Sequence, residues 1–125
     1  MRDKTNLRQL FRLIYHAEGV ITCVSLPMHI AAAFAKPCVV IAGGREGARW
    51  EMYQNHRYLA INGCCPDAKW DGCWKSKMAE CKNLIDDIPF CMKLIRPIDI
   101  VRAVELYYLG GILKNDKIEK IKGGV

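Results

Sequence analysis

Residues 20–44 read VITCVSLPMHIAAAFAKPCVVIAGG, and this stretch decides the fold. Val20-Ile21-Thr22-Cys23-Val24 is a short run rich in β-branched residues and reads as a buried strand. Ser25-Leu26-Pro27 breaks it. Residues 28–35 are alanine-rich and small enough to pack as a close-fitting helix, which Pro37 ends. Cys38-Val39-Val40-Ile41-Ala42 is apolar at every position, the pattern of a parallel strand covered on both faces, and Gly43-Gly44 turns the chain after it. A strand, a helix and a second strand in this order argue for a parallel pair, since parallel strands need a crossover connection such as a helix.

Reading outward, residues 6–17 carry Leu7, Leu10, Phe11, Ile14 and Tyr15 at three- and four-residue steps, one apolar face of a helix. Thr5 or Asn6 is placed to cap it, and Gly19 stops it. Residues 45–55 are polar around Trp50 and Tyr53, a loop with one helical turn. Tyr58-Leu59-Ala60-Ile61-Asn62 is a third strand. Residues 63–89 are irregular. Pro97 opens a helix over 97–109 whose inward face is expected at Ile98, Val101, Val104 and Tyr108, and Gly110-Gly111 ends it. The alternation predicts an α/β fold, a Rossmann-like parallel sheet with flanking helices. It spans one domain over residues 1–112, with a cysteine-rich loop at about 63–96 and a basic tail at 113–125.

The chain has 125 residues, 51% hydrophobic and 26% charged, which suits a single globular domain and is short for a complete two-substrate enzyme. The formal net charge of +6 comes from scattered lysines and arginines, without the dense basic stripe and interleaved aromatics of a nucleic-acid module. Nucleic acid is therefore not expected as a partner. The first dozen residues lack an apolar signal core, and no apolar run approaches the ~20 residues of a spanning helix. The expected location is the cytoplasm, with at most peripheral membrane contact. Seven cysteines there are expected as thiols or metal ligands rather than disulfides.

In a parallel sheet, ligands sit at the carboxyl ends of the strands, which here means residues 25–29 and 43–45. The free N–H groups and dipole of the helix start attract an anion such as a diphosphate. Ser25 can add a hydroxyl and His29 can reach a phosphate or ribose; the same residues also read as a plain N-cap and a satisfied core histidine. Gly43 and Gly44 allow close backbone approach to a ligand and equally read as an ordinary turn. Glu46, Arg49 and Glu51 suit a sugar or ribose, or a solvated loop. Cys64, Cys65, Cys73, Cys81 and Cys91 share one irregular stretch and are candidate zinc ligands, although paired CxxC knuckles are absent. Zinc, free thiols and a stray disulfide all stay open. Cys23 and Cys38 fall in strands, where cysteine acts as a small hydrophobe. No phosphate-binding GxxxxGK[ST] loop, GxGxxG fingerprint or HExxH is present.

Pro27-Met28-His29-Ile30-Ala31-Ala32-Ala33, then Lys36-Pro37 before the apolar strand, then Gly43, together with Cys91-Met92 and Ile95-Arg96-Pro97-Ile98, resemble glycosyltransferase family nine, the ADP-heptose:lipopolysaccharide heptosyltransferases. Gly72-Cys73-Trp74-Lys75-Ser76 resembles a marker of one subgroup. The resemblance covers residues 6–111 and is to the C-terminal, donor-binding domain of a two-domain GT-B enzyme. It implies inverting transfer of a hexosyl or heptosyl group in lipopolysaccharide biosynthesis. The donor it implies is a nucleotide sugar, an ADP-sugar first among them, with Ser25, Met28, His29, Gly43 and Gly44 at the donor. The family's Asp-Thr/Ser-Gly ahead of Pro-Met-His is Val24-Ser25-Leu26 here, so the acid and the glycine are replaced. The family's base comes from an N-terminal acceptor domain, so no catalytic base is assigned and this chain alone is expected not to turn over. The alternative is a degenerate, non-catalytic α/β module that uses its cysteine-rich loop for metal or protein contacts.

Overall fold

The computed structural model describes residues 4–61, 65, 71–75 and 80–109. In chain order these form α1 (Leu7–His16), β1 (Val20–Cys23), α2 (Leu26–Ala33), β2 (Cys38–Gly43), α3 (Ala48–Glu51) and β3 (His56–Ala60). The short strands β4 (Leu84–Ile85) and β5 (Ile88–Pro89), then α4 (Phe90–Lys93) and α5 (Pro97–Leu109), follow. The tail at 113–125 and Cys64 lie outside the described residues.

Strands β1, β2 and β3 form one parallel sheet in that order, with Val20 opposite Cys38 and Cys38 opposite His56. Side chains alternate across β2. Cys38 and Val40 face one layer, packing with Met28, Ile30 and Ala31 of α2 and Ile14 of α1. Val39 faces the other, against Ala103 of α5, with Leu59, Ile100 and Val104 around it. Helices on both faces of a parallel sheet make this an α/β, Rossmann-like arrangement, as the apolar β2 predicts.

Asn6 caps α1: its side chain accepts from the Gln9 N–H at 2.9 Å, and the Gln9 side chain accepts from the Asn6 N–H at 2.8 Å. This reciprocal pair satisfies two N–H groups that would otherwise lack partners. Helix α2 starts earlier than its sequence suggests, because Leu26 and Pro27 belong to its first turn, where proline costs no hydrogen bond. It also ends before Pro37. The Lys36 N–H reaches the Ala31 carbonyl at 2.8 Å and the Ala35 N–H the Ala32 carbonyl at 3.0 Å, a Schellman closure. Ala35 takes the left-handed position with φ +51°.

Three expectations need correction. Strand β1 is not buried on both faces: Ile21 and Cys23 point outward and are exposed, because the α5 layer on that face packs on Val39 and Leu59 of β2 and β3 and, among the described residues, on no residue of β1. Cys23 is thus an exposed thiol, whereas Cys38 is buried as expected. Strand β3 begins two residues earlier than expected, at His56. Helix α5 turns Ala103, Ile100 and Val104 to the sheet and leaves Ile98 and Val101 exposed. Small Ala103 lets the helix approach Val39 where larger side chains would hold it off.

Candidate functional site

The carboxyl ends of β1 and β2 open into a crevice of about 320 Å³. Cys23 and Val24 come from the end of β1, and Ile41 and Ala42 from β2. Arg45 and Glu46 follow from the turn after β2, and Cys73, Lys75 and Met92 close the far side. The Arg45 Nε lies 3.6 Å from Glu46 Oε1. The Lys75 ammonium donates to the Glu80 carbonyl at 3.1 Å. The crevice therefore joins an apolar floor to two cations and one carboxylate.

Glycines fix this arrangement. Gly43 ends β2 with φ +65°, a conformation other residues rarely adopt, and its carbonyl accepts from the Ile61 N–H at 2.8 Å. The segment around Cys73 then lies along the turn. The Cys73 N–H donates to the Gly44 carbonyl at 3.1 Å, and the Trp74 N–H to the Arg45 carbonyl at 2.8 Å. Gly72, at φ +98°, makes that approach possible: a Cβ there would fall 2.7 Å from the Arg45 carbonyl carbon. A Cβ on Gly47 would meet the Asp71 carbonyl oxygen at 2.6 Å. Backbone thus packs on backbone, and this delivers Lys75 and Cys73 to the crevice.

The residues singled out from sequence do not gather at one point. Ser25 is the N-cap of α2 by position, but its hydroxyl makes no cap bond; it donates to the Cys23 carbonyl at 3.2 Å and lies 3.3 Å from Thr22 Oγ1. Pro27 has no N–H, and the Met28 N–H is spent on the Ser25 carbonyl at 3.0 Å. Met28 is fully buried in the core. His29 sits on an exposed flank of α2, with Nδ1 2.9 Å from the Tyr53 hydroxyl and its ring edge-on to Tyr53. Neither Ser25 nor His29 lines the crevice. Gly43 and Gly44 are buried beneath it, against Cys91 and Met92.

Tyr53 also packs against His56, with ring centroids 5.2 Å apart. His56 is buried, and neither ring nitrogen has a hydrogen-bond partner among the described residues. Burial, then the nearby His29, lowers its pKa, so it is a neutral imidazole. Burial pushes the Cys38 thiol up to about 11, which makes it inert. Burial and the charges of Glu46 and Glu51 raise the Tyr58 phenol, which stays a neutral donor to the Glu46 carbonyl at 3.4 Å.

Four of the five candidate zinc ligands converge. Cys65, Cys73, Cys81 and Cys91 line one small cavity beside Gly44, and three of them also line the crevice. As they stand, no three His, Cys, Asp or Glu side chains among the described residues form a group that could hold a metal ion. Sequence reading passed over Lys75 and Met92 as site residues, although both lie in stretches that it quoted, Gly72-Cys73-Trp74-Lys75-Ser76 and Cys91-Met92.

Comparison with known proteins agrees on the first half of the chain. The family model for glycosyltransferase family 9 (heptosyltransferase) matches residues 2–71, from α1 through β3. No curated protein and no solved structure matches the chain. No helix among the described residues is long and apolar enough to cross a membrane.

Proposed function

This chain belongs to glycosyltransferase family 9, and on that premise we propose that it holds the nucleotide-sugar donor of a sugar-transfer reaction in the crevice at the carboxyl ends of β1 and β2. The observation that carries this reading is that Arg45, Lys75 and Glu46 all line the apolar crevice at the carboxyl ends of the strands, where α/β folds bind ligands. A planar guanidinium suits two diphosphate oxygens, an ammonium adds a point charge, and a carboxylate accepts from ribose hydroxyls.

In the transfer, an acceptor hydroxyl attacks the anomeric carbon and a new C–O bond forms there. The bond from that carbon to the diphosphate oxygen breaks, and its electron pair leaves with the nucleoside diphosphate. Arg45 and Lys75 stabilise the charge that develops on the leaving oxygen. The acceptor proton passes to a carboxylate base, which we place on the acceptor-side domain of the family rather than on this chain. The donor we favour is an ADP-sugar, which rests on the resemblance of the Pro27–Ala33 and Lys36-Pro37 motifs to the ADP-heptose-dependent transferases.

Calorimetric titration of the purified chain with ADP, UDP and GDP tests the reading. ADP is expected to bind, and Arg45→Ala or Lys75→Ala to weaken it about tenfold or more, the effect of removing one charge-assisted hydrogen bond. A folded chain that binds none of the three, or binds one with no loss in either variant, overturns the proposal.

A further inference from the structure

Helix α1 keeps most of its surface in solvent. Of its ten residues only Ile14 is buried and only Leu10 partly so. Leu7, Phe11 and Tyr15 follow at four-residue steps and stack along one flank of the helix. All three are exposed, Leu7 by 58% and Tyr15 by 56%. Arg8, Arg12 and His16 form the next row around the helix and are exposed too.

Neighbouring groups extend both rows. Phe34 at the end of α2 meets Phe11 and Tyr15 edge-on, with ring centroids 6.1 and 5.3 Å apart. Lys36 Nζ lies 5.7 Å from the centre of the Tyr15 ring, and Lys4 is exposed just ahead of the helix. Residues 4–17 contain no Asp or Glu; Asp3 and Glu18 flank them. Arg8 and Arg12 make no ion pair among the described residues. Large apolar side chains thus lie beside cations that no acid on the helix offsets.

We propose that this face of α1 docks on an anionic phospholipid surface. Charge complementarity decides the occupant. Headgroup phosphates meet Arg8, Arg12, Lys4 and Lys36, while Leu7, Phe11 and Tyr15 enter the boundary between headgroups and acyl chains. The net charge of +6 adds attraction at longer range. A second copy of the chain would bring the same cations to this face and be repelled. The contact is peripheral, and each cation contributes about fivefold to partitioning.

The test is co-sedimentation of the full chain with sucrose-loaded vesicles of equal parts phosphatidylglycerol and phosphatidylcholine, against phosphatidylcholine alone, at low and high salt. Binding to the anionic vesicles only is expected, falling as salt rises. Arg8→Ala with Arg12→Ala should weaken it about 25-fold. Leu7→Ser with Tyr15→Ser should weaken it while leaving the salt dependence in place. Lys82→Ala with Arg102→Ala removes the same charge from exposed positions elsewhere and should bind as the unmodified chain does. All four substituted α1 residues are exposed, so the fold should hold, and the lipid contrast on the unmodified chain decides even where a variant does not fold. No binding, equal binding to phosphatidylcholine, or equal loss in the two charge variants would each overturn the proposal. So would a dimer, seen by sedimentation without lipid, that Leu7→Ser with Tyr15→Ser dissolves, because a second copy would then occupy this face. Vesicle binding is read here and not nucleotide binding, so failure would leave the donor reading standing.

Discussion

Met92 occupies the space that a side chain on Gly43 would need: a Cβ added to Gly43 would lie 2.5 Å from the Met92 sulfur and 3.4 Å from the Cys91 sulfur. The end of the central strand and the short helix α4 are thereby locked together directly beneath the crevice. Gly43→Ala should destabilise the chain by about 2–4 kcal/mol, combining a strained positive φ with overpacking. Urea denaturation measures this. Met92→Ala in the same chain should recover part of the loss, because the methionine is flexible and its removal relieves the clash but not the φ. Fully additive losses would show that the two residues do not compete for space.

The buried His56 makes stability pH-dependent. Its folded pKa lies below the ordinary histidine value, so the unfolded chain takes up a proton first as pH falls. The full stability is present above the unfolded pKa of about 6.5 and declines as pH drops from there toward the folded value. Thermal unfolding at pH 7.5 and 5.5 should show the lower midpoint at pH 5.5. His56→Phe should shrink that difference; an unchanged pH dependence would assign it to other groups.

Ala35 carries a left-handed conformation that glycine adopts without a Cβ penalty. Ala35→Gly should therefore stabilise the chain by about 1 kcal/mol despite the greater freedom of glycine in the unfolded state. A denaturation midpoint that stays put or falls would show that the Lys36–Ala31 closure already absorbs the strain.

Two apparent helix caps should behave differently. Asn6→Ala removes a real side-chain bond to the Gln9 N–H and should cost about 1 kcal/mol. Ser25→Ala removes a hydroxyl that bonds the Cys23 carbonyl on an exposed surface, and its cost should stay below about 0.5 kcal/mol. Equal losses in chemical denaturation would contradict the difference in cap geometry.

The cysteine-rich segment shows where reading the sequence stopped short. Ile85-Asp86-Asp87-Ile88 is a two-residue hairpin in which both aspartates have positive φ, at +50° and +60°. This is the geometry of a type I′ turn, usually signalled by Asn-Gly or Asp-Gly, and a pair of aspartates gives no such signal. Lys93 pairs with Asp86 and ties the turn to α4. Arg96 and Asp99 close the start of α5 in the same local way, since the Asp99 carboxylate accepts from the Arg96 N–H at 2.9 Å and pairs with its guanidinium. That pairing holds the Asp99 carboxyl below the ordinary range.

By itself the sequence determined the parallel α/β unit, because β2 is apolar at every position and helices must cover both of its faces. It also determined the start of α1, where the Asn6–Gln9 box is local, and the start of α5 at Pro97. Tertiary structure alone decided which faces are inward and which residues share a site. Ser25, His29 and Gly43 look adjacent to one ligand when read along a βαβ unit, yet the turn of α2 sends His29 to Tyr53 and leaves Ser25 on Cys23. Arg45, Lys75 and four cysteines meet instead because Gly43, Gly47 and Gly72 let separate backbones touch, and that convergence depends on contacts between segments distant in sequence.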